Sequence, residues 1–146
     1  MSSASASDQR MIGALLRIPF QATVARVHAG LVARGYRDLR PAHLVVFQHL
    51  SPGGSRQTDL AERAQMTKQS MGYLIDYLEE RGYVARIPDP KDRRARLVVL
   101  TERGRDVERA ARAELAALEA EWDAALGGRL EVLRNLLREL VAALEQ

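Results

Sequence analysis

Apolar residues recur along the chain at two periods, and each change of period marks an element. Within residues 11–34, Phe20, Val24, Val27 and Leu31 lie four, three and four positions apart, the stripe of an amphipathic helix. Pro19 interrupts its front. Proline lacks an amide hydrogen and crowds the preceding turn, so either a short first turn ends near Ile18 or the helix is kinked there. GYRDLRP breaks the pattern, and Pro41 is placed to open a second helix through Leu50, with Leu44, Val45, Phe47 and Leu50 inside. SPGGS, residues 51–55, is a turn. Two short helical segments follow almost without a break. The first, ending AERA, turns Leu60, Ala61 and Ala64 to one side, with Ser55 or Thr58 as its cap. The second is capped by Thr67, buries Met71, Leu74, Ile75 and Leu78, and stops at Arg81-Gly82, a basic last turn before a residue free to turn left-handed.

The period then shortens to that of strands. Residues 83–87 and 96–100 are runs rich in valine, leucine and isoleucine on either side of DPKDRRAR, residues 89–96, and Asp89-Pro90 suits the start of a hairpin turn. Thr101, Glu102 and Asp106 then suit the positive end of a long helix, which carries Ala111, Leu115, Leu118, Trp122 and Ala125 on one stripe and ends at Gly127-Gly128. A last helix repeats Leu130, Leu133, Leu137, Leu140 and Leu144. The predicted fold class is mainly α with a small β-hairpin (α+β). Two helices joined by about three residues and followed by a hairpin make a winged helix-turn-helix. The last helix, some sixteen residues long, is marginal alone, and few other elements remain to cover its leucines. Packing between two copies of the chain, by the first and last helices, accounts for them.

A chain of 146 residues has room for one domain with a core of its own. Residues 10–146 are read as that domain, with 10–40 and 106–146 as dimerisation helices and 41–105 as the winged helix. Residues 1–9 are read as a disordered tail of small residues. With no cysteine, disulfides, thiolate metal sites and thiol-based sensing are excluded. The sequence has neither a long apolar run nor a hydrophobic leader, which predicts a cytoplasmic protein without a membrane partner.

Net charge is only +3, but it is unevenly placed. Residues 1–50 hold 6 cations and 2 acids, residues 51–105 hold 11 and 8, and residues 106–146 hold 5 and 9. Between Arg86 and Arg105 there are seven cations and three acids, a local excess that marks a face for a polyanion. An enzyme finds little support. The three histidines, His28, His43 and His49, are not spaced as ligands on one helix face. No glycine-rich phosphate loop or serine elbow is present. No catalytic residue, metal site or cofactor is assigned.

The segment TDLAERAQMTKQSMGYLIDYLEERGYVARIPDPKDRRARLVVLTERGR resembles the DNA-binding core of the multiple antibiotic resistance regulator (MarR) family of winged-helix transcription factors. The likeness is strongest over residues 56–105, where LAER, LEERGYV, DPKDRRA and LTERG occur together. It implies a homodimer on a pseudo-palindromic double-stranded operator, most simply as a repressor, and in many members a small aromatic or anionic effector that releases the DNA. The alternative is a winged helix that binds protein and has lost DNA; intact Lys68, Gln69, Arg93 and Arg94 argue against it. Two positions depart from the family pattern. Gln65 stands where glycine often makes the tight bend, and Gly72-Tyr73 replaces a polar or basic pair, so the operator cannot be inferred from relatives.

The recognition helix is expected to offer Thr67, Lys68, Gln69, Ser70, Gly72 and Tyr73 to the major groove. Gln69 suits adenine, Lys68 guanine or phosphate, and Tyr73 a phosphate or a thymine methyl. Gly72 is expected to allow close approach to DNA. By match to the family's Asp-x-Arg, Arg94 is expected to enter the minor groove, its guanidinium held by Asp92, with Lys91 and Arg93 on phosphates. Arg96 is expected to pair internally, and Asp76, Glu79 and Glu80 to form salt bridges. The resemblance also implies an effector pocket, for which Phe20, Val24, Tyr36, His43, Phe47 and Trp122 are the candidates.

Overall fold

The first stripe folds as one helix, α1 (Ile12–Ala33), which runs through Pro19. The residues around Pro19 are exposed, so water can take the bond that the Leu15 carbonyl loses to the missing amide. The computed structural model describes residues 8–146. The tail expected at residues 1–9 lies outside the described residues except for Asp8 and Gln9, which are exposed and in no regular element. After α1 come α2 (Pro41–His49), α3 (Gln57–Arg63), α4 (Lys68–Glu80), β1 (Val84–Asp89), β2 (Asp92–Leu100), α5 (Glu102–Ala125) and α6 (Leu130–Leu144). No helix among the described residues is long and apolar enough to cross a membrane.

The hairpin is antiparallel and longer than its apolar runs. Pairing extends from Val84↔Leu100 to Asp89↔Asp92, leaving Pro90 and Lys91 as the turn, with a register shift between Pro88 and Asp89. The polar part of DPKDRRAR is therefore strand. On an exposed ribbon the backbone ladder, not apolar burial, sets where pairing ends. Neither expected residue caps α3, whose N-cap is Arg56 without a side-chain bond. Ser55 is instead buried and exchanges two backbone bonds with Val98, at 3.0 and 2.8 Å, as a one-residue third strand.

One core joins every element except α6. Leu31 of α1, Val46 of α2, Leu60 of α3, Met71, Ile75 and Leu78 of α4, Val84 and Val98 of the hairpin and Val107 of α5 all belong to it. In α2, Leu44 and Val46 are buried while Val45, Phe47 and Leu50 are only half-buried. That helix lies between α1 and α4, so its burial follows two neighbours and not one stripe. The tight bend between α3 and α4 is made at Gln65, at φ 54°, and the Met66 amide closes it on the Ala61 carbonyl at 2.8 Å. α1 and α5 are tied by Glu114, which accepts from Arg34 at 2.6 Å and from Arg26 at 3.1 Å above the bare backbone of Gly30. Those bonds, Arg34's first, hold the Glu114 carboxyl below the usual range.

At the wing's base, Thr101 caps α5 by accepting from the Gly104 amide at 3.1 Å, and it donates through Oγ1 to the Tyr83 carbonyl at 3.0 Å. A Cβ at Gly104 would overlap that same carbonyl oxygen. Gly104→Ala is therefore expected to destabilise the fold by about 1–3 kcal/mol despite alanine's better helix propensity. Urea unfolding measures this; an unchanged midpoint would show that the contact constrains nothing.

Candidate nucleic-acid interface

The recognition helix is built to show one face. Met71, Ile75 and Leu78 are fully buried and Leu74 is half-buried, so Lys68, Gln69, Tyr73 and Asp76 stay in solvent. The Thr67 hydroxyl accepts from the Ser70 amide at 3.0 Å and donates to the Ser70 hydroxyl at 2.9 Å. Both expected contact hydroxyls are thus engaged in the cap. Tyr73 is 65% exposed, which rules out a packing role within the chain, and its hydroxyl accepts from the Gln69 amide at 3.1 Å. That bond presets the direction of Gln69 before any ligand arrives.

Gly72 also has a close neighbour within the chain. The Gln57 side chain of α3 crosses over it and donates to the Lys68 carbonyl at 3.0 Å, and a Cβ on Gly72 would come within 2.8 Å of the Gln57 amide nitrogen. The small residue admits a neighbouring side chain of the same chain. Gln57 also accepts from Arg86 of β1 at 3.3 Å, and Arg86 pairs with Asp76 and Glu79 of α4, each at 2.8 Å. The salt bridges expected for Asp76 and Glu79 are formed, and their partner ties the recognition helix to the wing. Glu80 lies 3.6 Å from Arg81.

At the wing tip Lys91, Asp92, Arg93 and Arg94 are all exposed. Asp92 does not hold the Arg94 guanidinium as expected; its Oδ1 accepts from the Arg94 backbone amide at 3.1 Å. The carboxylate shapes the turn and leaves the arginine free, because a side chain two residues away reaches a backbone donor sooner than a long guanidinium. The anchoring aspartate is Asp89. It is buried, accepts the Lys91 amide at 2.9 Å and takes two bonds from Arg56, at 3.0 and 2.9 Å. The Lys91 amide first and Arg56 second keep its carboxyl below the usual range. Arg56, Gln57, Arg86 and Asp89 were not among the expected site residues, since pairing across 33 positions leaves no spacing to read. Arg96 is a second correction: it is exposed and forms no ion pair among the described residues. It lies on the same side of β2 as Val98, beside Arg56, Lys68 and Arg86, where Asp89, Asp76 and Glu79 are already taken by Arg56 and Arg86.

The other end of α4 is held by an aromatic cluster. Tyr77 stacks on His43 at 4.0 Å between ring centroids, and the Arg81 guanidinium lies 3.4 Å from the Tyr77 ring centre. Tyr83 donates to the Asp38 carboxylate at 2.6 Å, and burial with that bond raises its phenol. His43 Nδ1 accepts from the Arg40 amide at 2.9 Å.

The six expected pocket residues do not converge. A cavity of about 350 Å3 lies among α1, α2 and α5, lined by Val24 and Phe47 together with Val27, Leu44, Val107, Ala111 and Leu115, and edged by Glu108 and Arg112. Phe20 is 55% exposed, one turn before Val24. Tyr36 packs on Tyr83, at 6.2 Å, and His43 faces Tyr77. Trp122 lines a separate open trough against α6. Helical stripes show which residues are inward but not which neighbour they face, and that divided the set.

A family model described as the MarR family matches residues 37–95. The transcriptional regulator HosA from Escherichia coli O111:H- is 30% identical over 105 residues, 71% of this chain and 78% of that protein. The transcriptional activatory protein BadR from Rhodopseudomonas palustris is 45% identical over 49 residues, 34% of this chain but only 28% of BadR. Among solved structures, CouR from Rhodococcus jostii RHA1 bound to p-coumaroyl-CoA superimposes with a TM-score of 0.72 at 29% identity, covering 97% of this chain and 95% of that one.

His43 gives the interface a pH dependence. Burial first, then Arg81 and Arg40, lower its proton affinity below the ordinary 6.5, and His49 shifts the same way through burial and Arg63. A depressed folded-state pKa leaves stability intact above the unfolded value and removes it as pH falls through the folded one. The urea midpoint is expected to fall from pH 7.5 to about 5.5, with a shallower fall in His43→Gln. A midpoint that rises toward pH 5.5 would contradict the assignment.

Proposed function

The chain belongs to the MarR family, and from that premise we propose that it regulates transcription as a homodimer that grips a pseudo-palindromic DNA operator and lets go when a small aromatic ligand binds. It is a DNA-binding transcriptional regulator. The observation that carries the operator-binding reading is the joint exposure of the polar face of α4 and the cationic wing tip, with Met71, Ile75 and Leu78 of the opposite face fully buried in the core. In this reading Gln69, directed by Tyr73, reads a base edge, while Lys91, Arg93 and Arg94 meet the backbone and the neighbouring minor groove. It acts most simply as a repressor, in the cytoplasm where its DNA lies, and carries no catalytic role.

Dimerisation rests on what the isolated chain leaves uncovered. α6 buries none of its residues, and Val132, Leu136, Leu140 and Val141 stand open along it, as do Ile12, Leu15 and Leu16 along α1. A symmetric pair would cover these faces and set two recognition helices about one turn of DNA apart. Residues 10–40 and 106–146 then serve the dimer and residues 41–105 the DNA, within one domain whose core crosses the division at Leu31, Met71 and Val107.

The cavity among α1, α2 and α5 is the proposed effector site. At about 350 Å3 it suits a single aromatic acyl group, in keeping with the coumaroyl thioester held by CouR. It touches both the dimer helices and α2, whose His43 stacks on Tyr77 of the recognition helix.

Two experiments test these readings. Duplexes recovered from a random pool by the wild-type protein are titrated against Gln69→Ala and Arg93→Ala. Gln69→Ala is expected to lose about 1–3 kcal/mol on the recovered site and relax one base pair per half-site, whereas Arg93→Ala should weaken recovered and random DNA alike. Failure to enrich any sequence would refute the operator. For the pocket, Ala111→Phe is expected to fill the cavity, keep DNA affinity and abolish release by p-coumaroyl-CoA or a related aromatic acid that releases the wild type. Undiminished release from that variant would place the effector elsewhere.

A further inference from the structure

We propose that Arg96, together with Lys68 at the edge of the base-reading face, forms a seat for one DNA phosphodiester in a cleft between the recognition helix and the wing, apart from the wing tip. The inference rests on the DNA-binding reading above and adds a contact to it. The cleft has a volume of about 390 Å3 and is bounded by Arg56, Gln57, Thr58, Lys68, Arg86 and Arg96. Four of these six are cations, yet their states differ. Arg56 is committed to Asp89 at 2.9 Å, and Arg86 to Asp76 and Glu79 at 2.8 Å each. Lys68 and Arg96 are exposed, and neither forms an ion pair among the described residues.

The pairing pattern explains why those two charges stay available. Asp76 and Glu79 of the recognition helix and Asp89 of the wing each already have an arginine. Gln57 fixes the floor by donating to the Lys68 carbonyl at 3.0 Å and accepting from Arg86 at 3.3 Å. The two unmatched cations therefore reach one cleft from different elements, one from the first turn of α4 and the other from β2, beside a Gln57 amide that is already bonded. The position also fits the shape of a duplex. A helix in the major groove and a wing tip in the adjacent minor groove must straddle the phosphate backbone that divides them. The cleft is the part of the chain that lies between those two elements.

The test uses the full-length protein, a duplex recovered by selection, and poly(dI-dC) as a probe of sequence-independent binding. Arg96→Gln keeps a polar side chain and removes its charge on an exposed strand position. It is expected to weaken binding to both DNAs by the same factor and to flatten the plot of log K against log salt by about 0.9 per seat, or about 1.8 for a dimer. Arg96→Lys is expected to keep the wild-type slope, and Arg109→Gln, a distant exposed control on α5, to leave slope and affinity alone. In an Arg96→Gln background, Lys68→Gln should cost less than it does alone, because the two share one phosphate. If Arg96→Gln binds with the wild-type slope, the seat does not exist although DNA binding stands. Loss on the selected duplex only, with no change of slope, would make Arg96 a base contact and overturn the seat as well. A wild-type protein that binds neither DNA at low salt would overturn the DNA-binding reading itself, and the seat with it.

Discussion

Burial of Met71, Ile75 and Leu78 is the constraint on which the rest depends. Each is completely removed from solvent, worth about 1.5–3 kcal/mol apiece by apolar transfer, and together they fix the rotation of α4 about its axis. Turning that helix by one residue, about 100°, would expose part of this set and bury charge. Its outward face is therefore determined by its inward one, and Lys68, Gln69 and Tyr73 are presented to solvent by that rotation, with the Gln69–Tyr73 bond setting only their direction relative to each other.

The wing is positioned by polar bonds, because a two-stranded ribbon has too little apolar surface to dock itself. Arg56 with Asp89 fixes its distal half to the start of α3, Ser55 with Val98 fixes its middle, and Arg86 with Asp76 and Glu79 ties it to α4. The two arginines between them remove three carboxylates from the field that a polyanion would meet. Acids near a DNA-binding face are expected to repel; here Asp76, Glu79 and Asp89 are each neutralised by an arginine that also has a structural task.

The same economy holds at the opposite end. α2 contributes Leu44 and Phe47 to the cavity and His43 to the stack on Tyr77, so one short helix touches both the proposed effector and the recognition helix. A ligand that favours one position of α2 over another has a rigid route to α4. α1 and α5, which pack on each other, line the other side of that cavity, so its shape follows their contact as well as the place of α2.

The element order was legible in the sequence because each element carries a local mark: Thr67 and Thr101 as caps, Gly82 and Gly127 as left-handed ends, and the leucine periods between them. The exposed residues of α4 and the wing tip were legible for the same reason, since periodicity assigns a side. What periodicity cannot assign is the neighbour on that side. Gly72 lies under the Gln57 side chain, a neighbour that no spacing announced; Asp92 was expected to hold Arg94 and holds its own turn; the pocket set scattered because Tyr36, His43 and Trp122 face three different partners. Sequence by itself determined the elements and their polarity, which are set by interactions within a few residues. Only the tertiary structure decided that Arg56 meets Asp89, that Arg86 binds the acids of α4 and that Arg96 is left free, because those pairings join segments whose separation along the chain carries no information about their distance in space.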